Sequence, residues 1–181
     1  MKSFSIQEFK PTIFFLVKFL GLYLVGNLLY GMYVTAYEPH PDPVTHWVSS
    51  HTAAILISCG YPVSTYDYKE IPTTSLLYRG KAVLAVYEGC NGLNTAIIFV
   101  AFVISFGPVC RAWLWFIPLG LLIIHLMNLG RITLLFFVAA YMPDAMYFTH
   151  KYLFTAFLYG VIFLLWVWWV KKFSFSKKSE Q

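Results

Sequence analysis

Charge is what this sequence has least of. Asp, Glu, Lys and Arg make up 12% of its 181 residues, against 59% hydrophobic and 20% aromatic, where a soluble domain carries about 25% charge. That shortage excludes a water-soluble fold of this size and leaves the bilayer as the solvent. Cysteine is scarce as well. Cys59, Cys90 and Cys110 form no CxxC and have no His pair at ligand spacing beside them. A zinc site and a disulfide framework are both excluded, and neither metal nor any other cofactor is expected. No Asp or Glu falls inside an apolar run, and paired broken helices are missing, which argues against an ion-coupled transporter. The net charge of +5 forms no patch. Lys2, Lys10 and Lys18 flank the first apolar run, while Lys171, Lys172, Lys177 and Lys178 follow the last. They read as topology signals, and nucleic acid is not an expected partner.

What is present is apolar length. The pattern predicts an all-α integral membrane protein with about four transmembrane helices, at about 12–34, 90–107, 112–140 and 149–170. The first run is too long for a signal-peptide core and reads as an uncleaved anchor, with Lys18 near enough to its end to snorkel. The second reaches spanning length only if its helix starts near Glu88 or Cys90. Pro118 predicts a kink in the third. Trp166, Trp168 and Trp169 close the fourth and suit a headgroup layer. A five-residue link, 107–111, joins the second and third.

Residues 37–87 differ in kind and form a small insert between spans. Glu38-Pro-His-Pro-Asp-Pro43 cannot be helix. The stretch 44–59 predicts a short amphipathic helix, apolar at Trp47, Val48, Ile55 and Leu56, able to lie in the interface plane. Ser75–Tyr78 and Ala82–Tyr87 flank Arg79-Gly80-Lys81 as a β-hairpin. Placing both termini in the cytoplasm puts Lys2, Lys10, Lys18, Arg111 and the C-terminal lysines inside, as the positive-inside rule requires. The insert then faces outward, on the side that also holds the acids Glu38, Asp42, Asp67, Glu70, Glu88 and Asp144.

At about 1.5 Å per helical residue, Cys90, Arg131 and His150 lie about 26, 28 and 30 Å from the cytoplasmic ends of their helices. A hydrocarbon core is about 30 Å thick, so three helices carry a thiol, a guanidinium and an imidazole to one depth. Taken singly, a membrane cysteine is usually an apolar filler and a terminal histidine an interfacial residue. Cys59 and Cys90 also share a compartment in which they could pair. An embedded arginine, however, marks a site by default. The set suits acyl transfer: Cys90 as nucleophile, His150 as acid and base, Arg131 stabilising thiolate or oxyanion. Gly89 and Gly92 clear space beside the thiol. Asn94, one turn past Cys90, and Asn128, one turn before Arg131, are candidates to orient the site. Either asparagine could equally bond another helix. His125 reads as a packing residue and as the reserve base.

Glu88-Gly-Cys-Asn-Gly-Leu-Asn94, Asn128-Leu-Gly-Arg-Ile132 and His150, taken in order, resemble the exosortase/archaeosortase family. The hairpin at Tyr78-Arg-Gly-Lys-Ala82 and Val86-Tyr-Glu-Gly-Cys90 adds to the likeness. The resemblance implies a polytopic transpeptidase or peptidase whose catalytic Cys, Arg and His are Cys90, Arg131 and His150, with Asn91, Gly92, Asn94 and Asn128 in support. It also implies membrane-anchored exported substrates with a C-terminal transmembrane sorting signal, and a bacterial inner membrane with the site facing the periplasm. Two departures stand out: Asn91 where many members have Ser, and about four spans where better-known members have eight. The compact F-type branch is the nearest likeness. A non-catalytic membrane assembly protein, with Cys90 inert and Arg131 on lipid or a partner carboxylate, is the competing expectation.

Overall fold

In the computed structural model the described residues are 6–106 and 111–174. The predicted link at 107–110, with Cys110, and the terminal lysines Lys2, Lys177 and Lys178 lie outside them. The chain opens with α1 (Ile6–Thr35) and α2 (Pro43–Ser58). An antiparallel sheet in the order β1-β2-β3 follows, built from Val63–Asp67, Thr73–Tyr78 and Lys81–Tyr87. A 3-10 turn (Glu88–Cys90) leads into α3 (Leu93–Ser105), and then comes α4 (Trp113–Tyr141). Past a 3-10 turn (Pro143–Ala145) come the helical turn α5 (Met146–Phe148), a π-turn (Thr149–Leu153) and α6 (Phe154–Ser174).

Among the described residues, three stretches are long and apolar enough to cross a membrane, Phe9–Thr35, Trp113–Tyr141 and Pro143–Lys172. The protein is a membrane protein. The expected second span is shorter than predicted: α3 has 13 residues, which rise about 20 Å, and Cys90 lies before it rather than on it. Its start is fixed by Gly92, whose φ of 86° is left-handed and cannot be propagated as a right-handed helix.

Two cores share α4. On one side, Leu129, Ile132, Leu135 and Phe136 pack against Leu76, Leu84 and Val86 of the sheet and Val48 and Leu56 of α2. On the other, Phe116 and Ile124 pack with Phe99 and Val103 of α3 and Ile162, Leu165 and Trp169 of α6. The hairpin forms as its sequence predicts, with Arg79 and Gly80 both at positive φ (52° and 76°), the geometry that a two-residue hairpin loop favours. β1 completes the sheet and had no clear sequence signal.

Tertiary packing uses several of these residues. α2 is not a free-standing helix. Its buried stripe, Thr45, Val48, Ser49, Thr52, Ala53 and Leu56, follows helical spacing and packs on the sheet and α4. Lys18 does not snorkel: its Nζ donates to Ile104 O at 2.7 Å, satisfying a carbonyl in the last turn of α3. The tryptophan cluster also packs inside the bundle. Trp169 is buried and donates to Phe106 O, while Trp166 stacks on Phe102 at 4.2 Å. Positions 166 and 169, three apart, face the bundle; Trp168 alone of the three is exposed.

Gly120 sets the approach of α3 to α4. A Cβ there would stand 2.1 Å from the Phe99 ring, and Phe99 is wholly buried, so the ring has nowhere to go. Gly120→Ala is expected to cost about 1–3 kcal/mol, read as a lowered unfolding temperature in detergent. Adding Phe99→Leu should recover part of the loss.

Candidate active site

The sheet delivers the thiol. β3 ends at Tyr87, and the chain turns through Glu88–Cys90 before Gly92 reverses it into α3. Three helices hold this turn. From α1, Tyr30 OH donates to Glu88 O at 2.8 Å. From α4, Asn128 Nδ2 donates to Cys90 O at 2.8 Å, and a side chain at Gly92 would meet that same amide at 3.3 Å. From α2 and its cap comes a buried polar knot. Asn91 Nδ2 reaches Asp42 Oδ2 (3.4 Å) and Thr45 Oγ1 (3.3 Å), while Asn91 Oδ1 accepts from Leu93 N at 2.9 Å.

Asp42 is buried and caps α2, accepting from Val44 N, Thr45 N and Thr45 Oγ1, and from Tyr33 OH at 3.3 Å. A buried carboxylate needs that many donors to offset lost hydration. Sequence reasoning missed its link to the thiol, although Asp42-Pro43 is a readable helix-start signature.

The histidine arrives on an irregular turn. His150 lies in the π-turn Thr149–Leu153, and Thr155 Oγ1 donates to its carbonyl at 3.2 Å. Single π-turns recur at functional sites because they re-aim a side chain without ending the helix. Here Nε2 lies 3.6 Å from Cys90 Sγ and 3.2 Å from Arg131 Nη2. A guanidinium only donates, so Nε2 carries the lone pair and the neutral ring holds its proton on Nδ1. Arg131 is half-buried, and its Nε has no partner among the described residues.

The structure thus brings Cys90, Arg131 and His150 into contact, with Asn91, Gly92 and Asn128 around the turn. It does not bring in Asn94, whose side chain is exposed on the first turn of α3. That expectation assumed a helix already running at Cys90. His125 is not at the thiol either; it stacks on Trp47 at 4.5 Å, beside His51. Tyr87 was missed: its main chain and side chain both favour the Cys90 thiolate. Gly89 makes room for that ring, since a Cβ there would lie 2.4 Å from it. Cys59 and Cys90 are both free thiols, Cys59 exposed and Cys90 buried. No cluster of His, Cys, Asp and Glu able to hold a metal occurs among the described residues.

The fold and this cluster define a helical membrane protein with a buried thiol set against an imidazole and a guanidinium. The transmembrane exosortase family (Exosortase_EpsH) matches residues 11–170, and the chain belongs to that family. No curated protein and no solved structure matches it significantly.

Burial pushes the Cys90 thiol above its ordinary range, and Arg131 and Tyr87 pull against that rise without cancelling it. The resting sulfur is therefore a neutral thiol. Alkylation of Cys90 by iodoacetamide in a Cys59→Ser background should rise with pH through an inflection above about 8.5, the value of a free cysteine. Arg131→Gln should move it higher, because a cation that favours the thiolate is gone. An inflection below pH 7 would contradict this electrostatic account.

Proposed function

We propose that this protein is a membrane-embedded cysteine transpeptidase or peptidase of the exosortase kind, with Cys90, His150 and Arg131 as its catalytic residues. The observation that carries the reading is the single nitrogen, His150 Nε2, within reach of both the thiol and the guanidinium. Cys90 Sγ attacks the scissile carbonyl while its proton passes to His150 Nε2. Once protonated, the imidazolium repels Arg131, whose guanidinium turns to the oxyanion forming on the attacked carbon. Collapse of that intermediate breaks the C–N bond, and His150 returns the proton to the leaving amine. The acyl group remains on Cys90 as a thioester. Water completes a hydrolysis; an amine acceptor completes a transpeptidation.

The expected substrates are exported proteins held by a C-terminal transmembrane sorting signal, whose helix docks beside the bundle. The basic residues flanking α1, before α4 and at the end of α6 favour N-in, C-in insertion with the site on the periplasmic side of a bacterial inner membrane. The compact chain fits the F-type branch. Asn91, Gly92 and Asn128 are positioning residues that hold the nucleophile's turn.

Replacing the chromosomal copy with Cys90→Ala should abolish the change in mass or anchoring of exported proteins that the intact protein brings about. The variant itself should still be inserted and folded. Arg131→Lys, which keeps the charge but loses the planar fork, should slow processing by about 10²–10³-fold. Normal processing by the Cys90→Ala protein would sink the proposal.

A further inference from the structure

A groove of about 310 Å³ opens at the thiol, between β3 on one side and Met146, Tyr147, His150 and Lys151 on the other. Its β3 wall is made of four consecutive residues, Leu84, Ala85, Val86 and Tyr87. Successive strand side chains point to opposite faces, so a cavity touching four in a row runs along the strand's edge. That edge is open. β3 is the last strand of the sheet and pairs with β2 alone.

Which main-chain groups face the groove follows from the ladder. Thr73, the partner of Tyr87, spends its main chain elsewhere: its carbonyl accepts from Tyr68 N and its N–H donates to Ile71 O. The Thr73–Tyr87 pair is thus the non-hydrogen-bonded kind, and Tyr87 aims its N–H and C=O away from β2. Two residues back, with the register shift lying farther off at Leu76/Leu77, Ala85 must do the same. Its N–H and C=O find no other partner among the described residues, and its side chain is exposed.

We infer that the substrate is bound as an added β-strand on β3. The residues preceding its scissile bond run parallel to β3 and pair through the Ala85 N–H and C=O. This rests on the cysteine-nucleophile reading above and adds to it the conformation of the substrate and the contacts that select it. Main-chain pairing supplies binding that is indifferent to sequence, while pockets for alternate side chains supply the preference. Parallel pairing follows from the geometry: β3 runs toward Cys90, so a peptide whose C-terminal end reaches the sulfur travels in the same direction. A parallel partner bonds to Ala85 through the two residues flanking the one opposite it. One substrate amide is therefore used and the next points away.

The test needs no natural substrate. Acetyl-Ala-Ala-Ala-vinyl sulfone and ethyl vinyl sulfone are compared for their rates of alkylating Cys90, read by peptide mass in the full chain in detergent, with iodoacetamide as a reporter of thiol reactivity. The peptidyl probe should react at least tenfold faster than the ethyl compound. N-methylation of one peptide amide should erase that gain, while N-methylation of its neighbour leaves it. Ala85→Pro removes an N–H that the sheet does not use. It should also erase the gain, with the iodoacetamide rate unchanged. If Cys90 reacts but both methylated probes keep the gain, or Ala85→Pro keeps it, the strand proposal is overturned and the nucleophile reading stands. If Cys90 reacts with none of the reagents, both fall together.

Discussion

Within five residues, 88–92, the chain must stop being a strand, present a sulfur and begin a helix. That abrupt turn is the constraint on which the rest of the molecule depends. Left alone it would be a mobile linker, since it has one 3-10 hydrogen bond of its own, from Asn91 N to Glu88 O. It is fixed because Tyr30 of α1, Asp42 and Thr45 at the start of α2, and Asn128 of α4 each bond to a different part of it. These bonds lie in buried or half-buried surroundings, where a lost partner leaves a desolvated group behind. The relative placement of three helices is thereby written into the position of one thiol.

The electrostatics of the cluster set a condition on how it works. A lone pair on Nε2 has two suitors, the Cys90 S–H and the Arg131 N–H. Arginine does not give up its proton, so the ground state holds a neutral thiol, a neutral imidazole and a guanidinium that fixes the tautomer. A preformed thiolate–imidazolium pair would place two cations, Arg131 and His150, in contact at 3.2 Å within a half-buried site, which is costly. Proton transfer is favourable only as negative charge appears elsewhere for Arg131 to meet. On the proposed mechanism, the arrangement would couple ionisation of the thiol to the arrival of a carbonyl, leaving a resting thiol that is less open to alkylation or oxidation.

How much of this could be read from the chain depends on which constants governed it. Helix rise is nearly invariant, so counting along 112–131 and 150–170 was enough to put Arg131 and His150 at one level. The hairpin was readable because Arg79-Gly80 sits between two β-rich runs. Where the reading departed from the structure, tertiary contacts had overridden a local pattern. Asn94 was placed by helical spacing from Cys90, but the left-handed Gly92 resets the phase. The buried stripe of α2 is half Ser and Thr, which reads as polar in a sequence and as close packing in a fold. Lys18 and Trp169 looked like interface anchors because their partners, Ile104 O and Phe106 O, are main-chain groups that no sequence pattern displays.

The short third helix decides where the chemistry can happen. Residues of α4 continue from Arg131 to Tyr141, a rise of about 15 Å beyond the guanidinium, whereas α3 stops at Leu93 just past the thiol. The cluster is therefore recessed beside a taller helix, with β3 on one side and Met146 and Tyr147 on the other. A folded domain cannot enter such a cleft, and an isolated amide in water gains little from it. On the proposed function, a peptide that is extended where it meets β3 would fit between those walls.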